Sequence, residues 1–431
     1  MLAASLVALG LLAVALDRHL RSPPPPLPRP TRFVLIVVDA LRADHLGCYG
    51  HPGKLTPNMD ALAARGVRFE NLFSAAPETL QSNAALFTGC LPSYSCDRVK
   101  FRLWLDIPTF VEHLREAGFR TAAFSAQPRI SPNFGFGRGF DLFLMWPLDD
   151  DSATGSCIRW LKRQTSGKSF ALLYLLDPHS PYRPRRTSDA SRVMLARPNV
   201  RPQIADGAIW DHAADLSIVE KPVTDGQYSR PELDALHSLY CDEIRDADER
   251  IGRVIAAVGA NAVVFLIADH GEGWTYPGAL THSSSLHPDV TKVPFIIAGP
   301  QITPTVRRDL AGTCDVAPTV LALADATPLP KTRGRNVLGE HVARRSAIIA
   351  EKGPWCAVYT ADRALVSTEE TNTFIALSPN ASRANDNGMV ALAIAHKRTM
   401  RTNAQYVRPG RPILLQKATV EQLRSLGYVA E

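Results

Sequence analysis

Four short polar groupings in this chain carry side chains that do chemistry, and each lies at the end of an apolar run. Asp39 closes FVLIVV, Asp177-Pro178-His179 closes FALLYLL, and Asp269-His270 closes AVVFLIA. The fourth is PETLQSNAALFTG, Pro77 to Gly89, in which Thr79 stands at the mouth of a short apolar helix that Gly89 can stop. A hydroxyl there either caps the free N–H groups of the first turn or sits where those groups and the helix dipole draw in an anion such as phosphate or sulfate. Singly, each Asp reads more readily as a helix cap and each His as a satisfied surface or core residue. Brought together, two carboxylates and an imidazole, with room for a hydroxyl and water, are a ligand set for a divalent cation.

The elements that must bring them together are legible in outline. Phe33 to Val38 is a continuous β-branched run, the pattern of a strand buried on both faces of a parallel sheet. A helix follows from Pro57, with Thr56 as cap and Gly66 as stop, then a strand from Val67 to Phe73. Further helices are expected over 107–118, 154–163, 233–258 and 317–324, and further strands over 120–125, 170–176, 262–268 and 293–298. Alternation of this kind predicts an α/β fold with a doubly wound, mostly parallel sheet flanked by helices, whose ligands bind beyond the carboxyl ends of the strands. From Arg183 to Arg230 periodicity breaks down into a long surface excursion of the sort that often serves function. Beyond 344, four short strand-like pieces, 347–350, 357–360, 364–367 and 373–377, predict a small C-terminal antiparallel sheet, with a helix near 420–426.

The two ends and the composition bound the rest. A chain of 431 residues with 45% hydrophobic and 21% charged residues is an ordinary globular protein with a large core, not a disordered one. Its formal charge of +6 suits acidic glycans or lipid head groups, and no basic run with interleaved aromatics points to nucleic acid. The apolar run Leu2–Leu16 is shorter than the roughly 20 residues that span a bilayer. We read residues 1–21 as a signal peptide or N-terminal membrane anchor, although Arg18 and Arg21 follow the run instead of preceding it, and 22–31 as a proline-rich linker. The expectation is export, with a periplasmic or membrane-tethered main domain over 32–343 and a small C-terminal subdomain over 344–431 packed on it. Seven scattered cysteines without a CxxC pair read as small buried residues and argue against zinc-thiolate sites, with Cys90 and Cys96 near enough to pair.

Several stretches, in order, carry a family resemblance: VDALRADHLGCYG, TPNMDALAARGVRF, the TLQSNAALFTG frame, DPHSPYRP, LYCDEIRDADERIG, IADHGEGW, KVPFIIAGP, DVAPTVLALA and the terminal LRSLGYV. From Thr31 onward the chain resembles the sulfatase-type catalytic domain of the alkaline phosphatase superfamily. The resemblance implies that fold, a divalent metal ion (zinc, manganese or calcium), and a sulfate or phosphate ester substrate. It matches Asp39, Asp269 and His270 to metal ligands and Thr79 to a metal-bound nucleophile. His179 and His282 match positions that contact the transferred group or leaving oxygen, with His287 competing for the second, and Lys292 is read as structural.

The departures matter as much. Sulfatases of this type carry C-x-P-S-R or S-x-P-S-R, whose first residue is oxidised to formylglycine, whereas here the frame reads Thr79-Leu80-Gln81-Ser82-Asn83. The β-methyl of threonine closes that route, since the same oxidation gives a ketone. Asn83 replaces the orienting arginine and Ala40 a second aspartate, and a threonine nucleophile is similar to that of phosphotransferases and some phosphodiesterases of the superfamily. Phosphoester hydrolysis or phosphoryl transfer through Thr79 is therefore the leading expectation. The alternatives are a sulfuric ester hydrolase without formylglycine, using Ser82 or the unmodified threonine, and a non-catalytic binder of a glycan or lipid head group.

Overall fold

The computed structural model describes residues 29–97, 102–200, 228–274, 282–283, 285–339 and 344–404. The apolar run at the N-terminus and the helix expected near 420–426 lie outside them. Among the described residues no helix is long and apolar enough to cross a membrane.

Strand β1, Arg32–Val38, is buried from Phe33 on and runs through the middle of an eight-stranded sheet. The other strands, in chain order, are β2, Gly66–Phe73, β3, Arg120–Ser125, β4, Leu142–Met145, β5, Ser169–Leu175, β6, Val263–Ala268, β7, Phe295–Ala298, and β8, Thr305–Gly312. Their spatial order is β8-β2-β7-β6-β1-β5-β3-β4. All neighbours are parallel except β7, which is antiparallel to both β2 and β6. The mostly parallel sheet is thus as expected. Two strands escape the sequence pattern, and both are edges. TVRRDLAG in β8 carries the charges that keep an edge from pairing with other chains, which hides it from a search for apolar runs.

Helices α1, Pro57–Ala64, α2, Thr79–Thr88, α3, Phe110–Glu116, α4, Asp150–Arg163, α5, Asp189–Leu195, α6, Arg230–Val258, and α7, Val316–Ala324, form two packed groups. One comprises α1, α4 and α5 against α6, the other α2, α3 and α7. Gly66, expected to stop α1, instead opens β2, where a Cβ would run into the carbonyl of Ile297 on β7. Helix α6 starts at a capping box of Ser229 and Glu232 and buries Leu236, Tyr240, Ile244, Ala247, Ile251 and Val254. Its acidic residues are not a solvated face. Asp242 accepts from the Ser188 amide at 2.9 Å, Asp246 from that of Arg185 at 2.5 Å and Asp248 from that of Met59 at 2.8 Å. These buried carboxylates tie down the start of the Arg183–Arg230 excursion and α1, since a buried charge is tolerated only where donors converge on it.

The second sheet is the expected C-terminal one, an antiparallel meander of β9, Ile348–Lys352, β10, Trp355–Tyr359, β11, Arg363–Ser367, and β12, Asn372–Ala376. The helix packed on it, α8, Asp386–Ala404, was not anticipated, although Met389, Ala393, His396 and Met400 recur at helical spacing and are buried. Tyr359 joins the sheet to the main body by stacking on Phe73 at 4.4 Å and donating to the Leu286 carbonyl at 2.7 Å. All seven cysteines are free, so Cys90 and Cys96 do not pair.

Candidate active site and metal centre

Register brings the strand ends together. Val38 of β1 lies opposite Leu175 of β5 and Ala268 of β6, so the residues that follow, Asp39, Leu176 and Asp269, leave the sheet side by side at one edge. Ala40 takes the left-handed backbone at φ 55, a strained turn that aims its N–H at Asp269 Oδ1, 3.3 Å away. Asp269 Oδ1 also accepts from the His270 amide at 2.8 Å. Its other oxygen accepts from the Tyr174 hydroxyl at 2.6 Å and from Asn83 Nδ2 at 3.2 Å. Asp39 is held on one side only. Gln127, just past the end of β3, donates to Oδ2 at 2.6 Å, while the fully buried Oδ1 has no hydrogen-bond partner.

That orphaned oxygen faces His270. Nδ1 of His270 donates to the Gly271 carbonyl at 3.0 Å, which leaves the lone pair on Nε2. Nε2 lies 3.3 Å from Asp39 Oδ1 and 3.5 Å from Asp269 Oδ2, and 3.3 Å from the hydroxyl of Thr79. Lone pairs therefore converge from two carboxylates, an imidazole and a hydroxyl. Burial and the neighbouring Asp269 push the Asp39 carboxyl well above the usual range. A divalent cation removes this conflict, and Asp39, Asp269 and His270 form a group able to hold one.

Thr79 is not a cap. Glu78 occupies the cap position and Thr79 is the first residue of α2, so its hydroxyl is turned to His270 instead of to the first-turn amides. Gly89, at φ 66, ends the helix as expected. One turn into α2, Asn83 Nδ2 bonds the Thr79 carbonyl at 2.7 Å and the Tyr174 hydroxyl at 2.9 Å, locking the helix start onto β5. Ser82 donates to the Asp269 carbonyl at 2.6 Å and accepts from Ser74 at 2.8 Å, so its hydroxyl is fully engaged away from the cluster of lone pairs.

Three histidines form a stack beside this group. His282 lies over His270 with ring centroids 4.2 Å apart and meets His179 edge-on at 4.9 Å. His179 Nδ1 donates to the Ser180 carbonyl at 2.6 Å, and His282 Nδ1 faces Glu272 Oε1 at 3.3 Å, with Glu272 steadied by the Tyr182 hydroxyl at 3.2 Å. Burial, with the neighbouring imidazoles, lowers His179 to about 3 and holds His282 well below its ordinary value. Both rings are neutral bases at neutral pH. Between the two competing histidines, His282 joins the cluster. His287 instead caps the short helix Pro288–Thr291, accepting from the Asp289 amide at 3.3 Å. Lys292 pairs with Phe73 through its backbone, and burial lowers the pKa of its ammonium.

Sequence reasoning missed Gln127, Tyr174, Glu272 and Arg129. The positive charge of Arg129 is felt at both Asp39 and His282, while Asn83 stands at the position of the expected arginine. Gln127 and Arg129 follow a strand end, the one signal that marks them, while Tyr174 lies inside an apolar run and reads as core.

With this geometry in view, comparison with known proteins gives the class. The sulfatase family model matches residues 31–326, and the chain belongs to that family. It is a sulfatase-family hydrolase with an alkaline-phosphatase-like fold. Among individual relatives, it is 26% identical over 353 residues to a Delta 4,5-hexuronate-2-O-sulfatase of Bacteroides thetaiotaomicron, covering 69% of each chain. Human arylsulfatase A matches at 50% identity over 64 residues, 15% of this chain and 13% of that one. The fold is similar to that of a phosphonate monoester hydrolase of Agrobacterium radiobacter, with a TM-score of 0.67, 18% identity, and 88% and 96% of the two chains covered.

Proposed function

We propose that this protein is a metal-dependent phosphoester hydrolase or phosphotransferase that uses Thr79 as its nucleophile. The observation that carries the reading is the position of the Thr79 hydroxyl, at the N-terminus of α2 and 3.3 Å from His270 Nε2, among carboxylates that call for a cation. Asp39, Asp269, His270 and Thr79 would hold the ion, which suits zinc, manganese or calcium. When bound, it supplies a lowered pKa for the coordinated hydroxyl and neutralises charge on the transferred group.

The remaining work falls to the chain. Thr79 Oγ1 forms the new bond to phosphorus as the bond to the leaving alcohol breaks. His179 and His282, both neutral, would take the Thr79 proton and deliver it to the leaving oxygen. The first-turn amides of α2 and the Arg129 guanidinium bind the equatorial oxygens. Water or an acceptor alcohol then cleaves the Thr79 ester. Asn83 and Tyr174 are positioning residues that fix α2 and Asp269.

The sulfuric ester alternative with Ser82 is disfavoured, because its hydroxyl is hydrogen-bonded both as donor and as acceptor within the fold. We further propose export, with residues 1–21 as the targeting or anchoring segment, and a substrate whose specificity depends on the 183–230 excursion; glycan esters are the natural first panel. Paired assays on an aryl phosphate diester and an aryl sulfate, each with zinc, manganese and calcium, test the reading. Faster phosphoester turnover, lost in Thr79→Ala, supports it; full activity in Thr79→Ala refutes it.

A further inference from the structure

A second cluster of ligand-type side chains lies outside the site just described. The 3-10 turn Ala43–His45 presents His45, and α6 presents His237 and Cys241, four residues apart and so on one helix face. Their ligand-capable atoms all lie within 4.8 Å of one another, and the two Nε2 atoms of His45 and His237 are 2.8 Å apart. His45 is buried, while His237 and Cys241 are half-buried, so the group is within reach of solvent.

The surroundings are arranged as they are around a metal ligand. Asp44 Oδ1 accepts from His45 Nδ1 at 2.8 Å, and Arg42 holds that carboxylate through Nε at 2.9 Å and Nη2 at 2.7 Å. With its proton fixed on Nδ1, His45 turns the lone pair of Nε2 toward His237, and a carboxylate behind the imidazole raises its basicity as a ligand. Ring contacts hold both imidazoles in place. His45 stacks on His51 at 5.5 Å and meets Tyr240 edge-on at 5.2 Å, and His237 meets Trp274 edge-on at 5.3 Å.

We propose that His45, His237 and Cys241 form a second metal site, separate from the strand-end centre, that takes a thiophilic transition-metal ion with Zn2+ as the foremost occupant. Two imidazoles and a thiolate select borderline and soft ions and reject calcium and magnesium. A tetrahedral ion with bonds of about 2.0–2.3 Å sets its ligand atoms roughly 3.3–3.8 Å apart. The two imidazole nitrogens, at 2.8 Å, lie somewhat closer than that and every ligand atom is within 4.8 Å of the others, so side-chain rotations close the site around an ion, with a water as fourth ligand. Burial keeps the Cys241 thiol protonated, so that binding the ion releases one proton. The ion would clamp the loop after β1 to α6. The inference does not depend on the proposed reaction at Thr79.

Co2+ serves as the probe, since only a site with a thiolate gives a sulfur-to-cobalt charge-transfer band in the near ultraviolet. The full chain is stripped with a chelator and titrated. The expected result is a saturable band that Zn2+ displaces. It should disappear in Cys241→Ser together with about one equivalent of bound metal, weaken strongly in His237→Gln, and survive in Asp269→Asn. Circular dichroism confirms that each variant is folded; if Cys241→Ser is not, His237→Gln carries the test. Absence of the band in the folded wild type, or its persistence in Cys241→Ser or at full strength in His237→Gln, overturns the site.

Discussion

The chain that leaves β1 passes two clusters within a few residues, Asp39 at the sheet edge and His45 at α6, and they differ in every property that sets metal chemistry. At the sheet edge all three ligand-type residues are fully buried, two are carboxylates, and the Thr79 hydroxyl adjoins them. At the helix the group is half-buried, its donors are two imidazoles and a thiol, and its own hydrogen bonds leave no orphaned carboxylate oxygen. Burial of like charges makes the first a site that needs an ion to be comfortable, whereas the second is a neutral group that an ion can enter by displacing a proton. The difference also separates roles. A nucleophile at a helix N-terminus with bases around it is a reaction centre, and a clamp between a loop and a helix is a support.

Four changes break or sharpen that contrast. The largest effect is expected for Thr79→Ala, which should lower turnover by about 10⁴-fold or more, as loss of a covalent nucleophile does, while metal analysis finds the strand-end ion retained. Next, Arg129→Ala should reduce kcat/KM for a phosphoester by about 10²-fold, the usual cost of losing a donor to a developing oxyanion, with the Co2+-thiolate band unchanged.

Asp269→Asn should remove the strand-end ion's share of the rise in Tm that metal gives the wild type, the part that calcium, which the His45 cluster rejects, gives alone. In the chelated proteins two effects oppose each other: the substitution removes the charge that repels Asp39, and its amide nitrogen replaces an oxygen on which two donors converge. The smallest effect concerns pH. His179 has a folded value near 3, below its unfolded value, so the unfolded chain binds the extra proton in between. Stability is then full above about pH 6.5 and falls as pH drops toward 3, by up to about 1.4 kcal/mol per pH unit for this group. His179→Gln should flatten that limb in denaturant titrations between pH 4 and 6.5, and an unchanged slope would count against a buried neutral His179.

Much of the strand-end centre was legible because it obeys a rule of position. Asp39, His179 and Asp269 each terminate an unbroken apolar run, and parallel strands in register deliver such residues to one edge. What could not be read came from side chains whose partners are distant in the chain. Tyr174 sits in FALLYLL like any core residue, and only the fold shows its hydroxyl on Asp269. Asn83 reads as a lost arginine, while the structure gives it three bonds that fasten α2.

His237 and Cys241 had helical spacing but no visible third partner, since His45 is 192 residues away from His237, and the absence of CxxC pairs argued against zinc. In the fold, β8 and α8 were missed for opposite reasons: β8 is too charged for an apolar search, and the buried stripe of α8 is thin, made of Met389, Ala393, His396 and Met400. Gly66 was placed by its turn-forming habit when the close approach of β7 was its reason.

The central claim, a phosphoryl group carried on Thr79, is tested most directly by mass spectrometry. Metal-loaded protein is mixed with an aryl phosphoester, quenched in acid during turnover, and mapped by peptide. The account predicts an added phosphoryl mass, or that of the phosphoester fragment, on the peptide containing Thr79, absent from Thr79→Ala. Active protein that never shows an adduct there, or that carries it on Ser82, would contradict it.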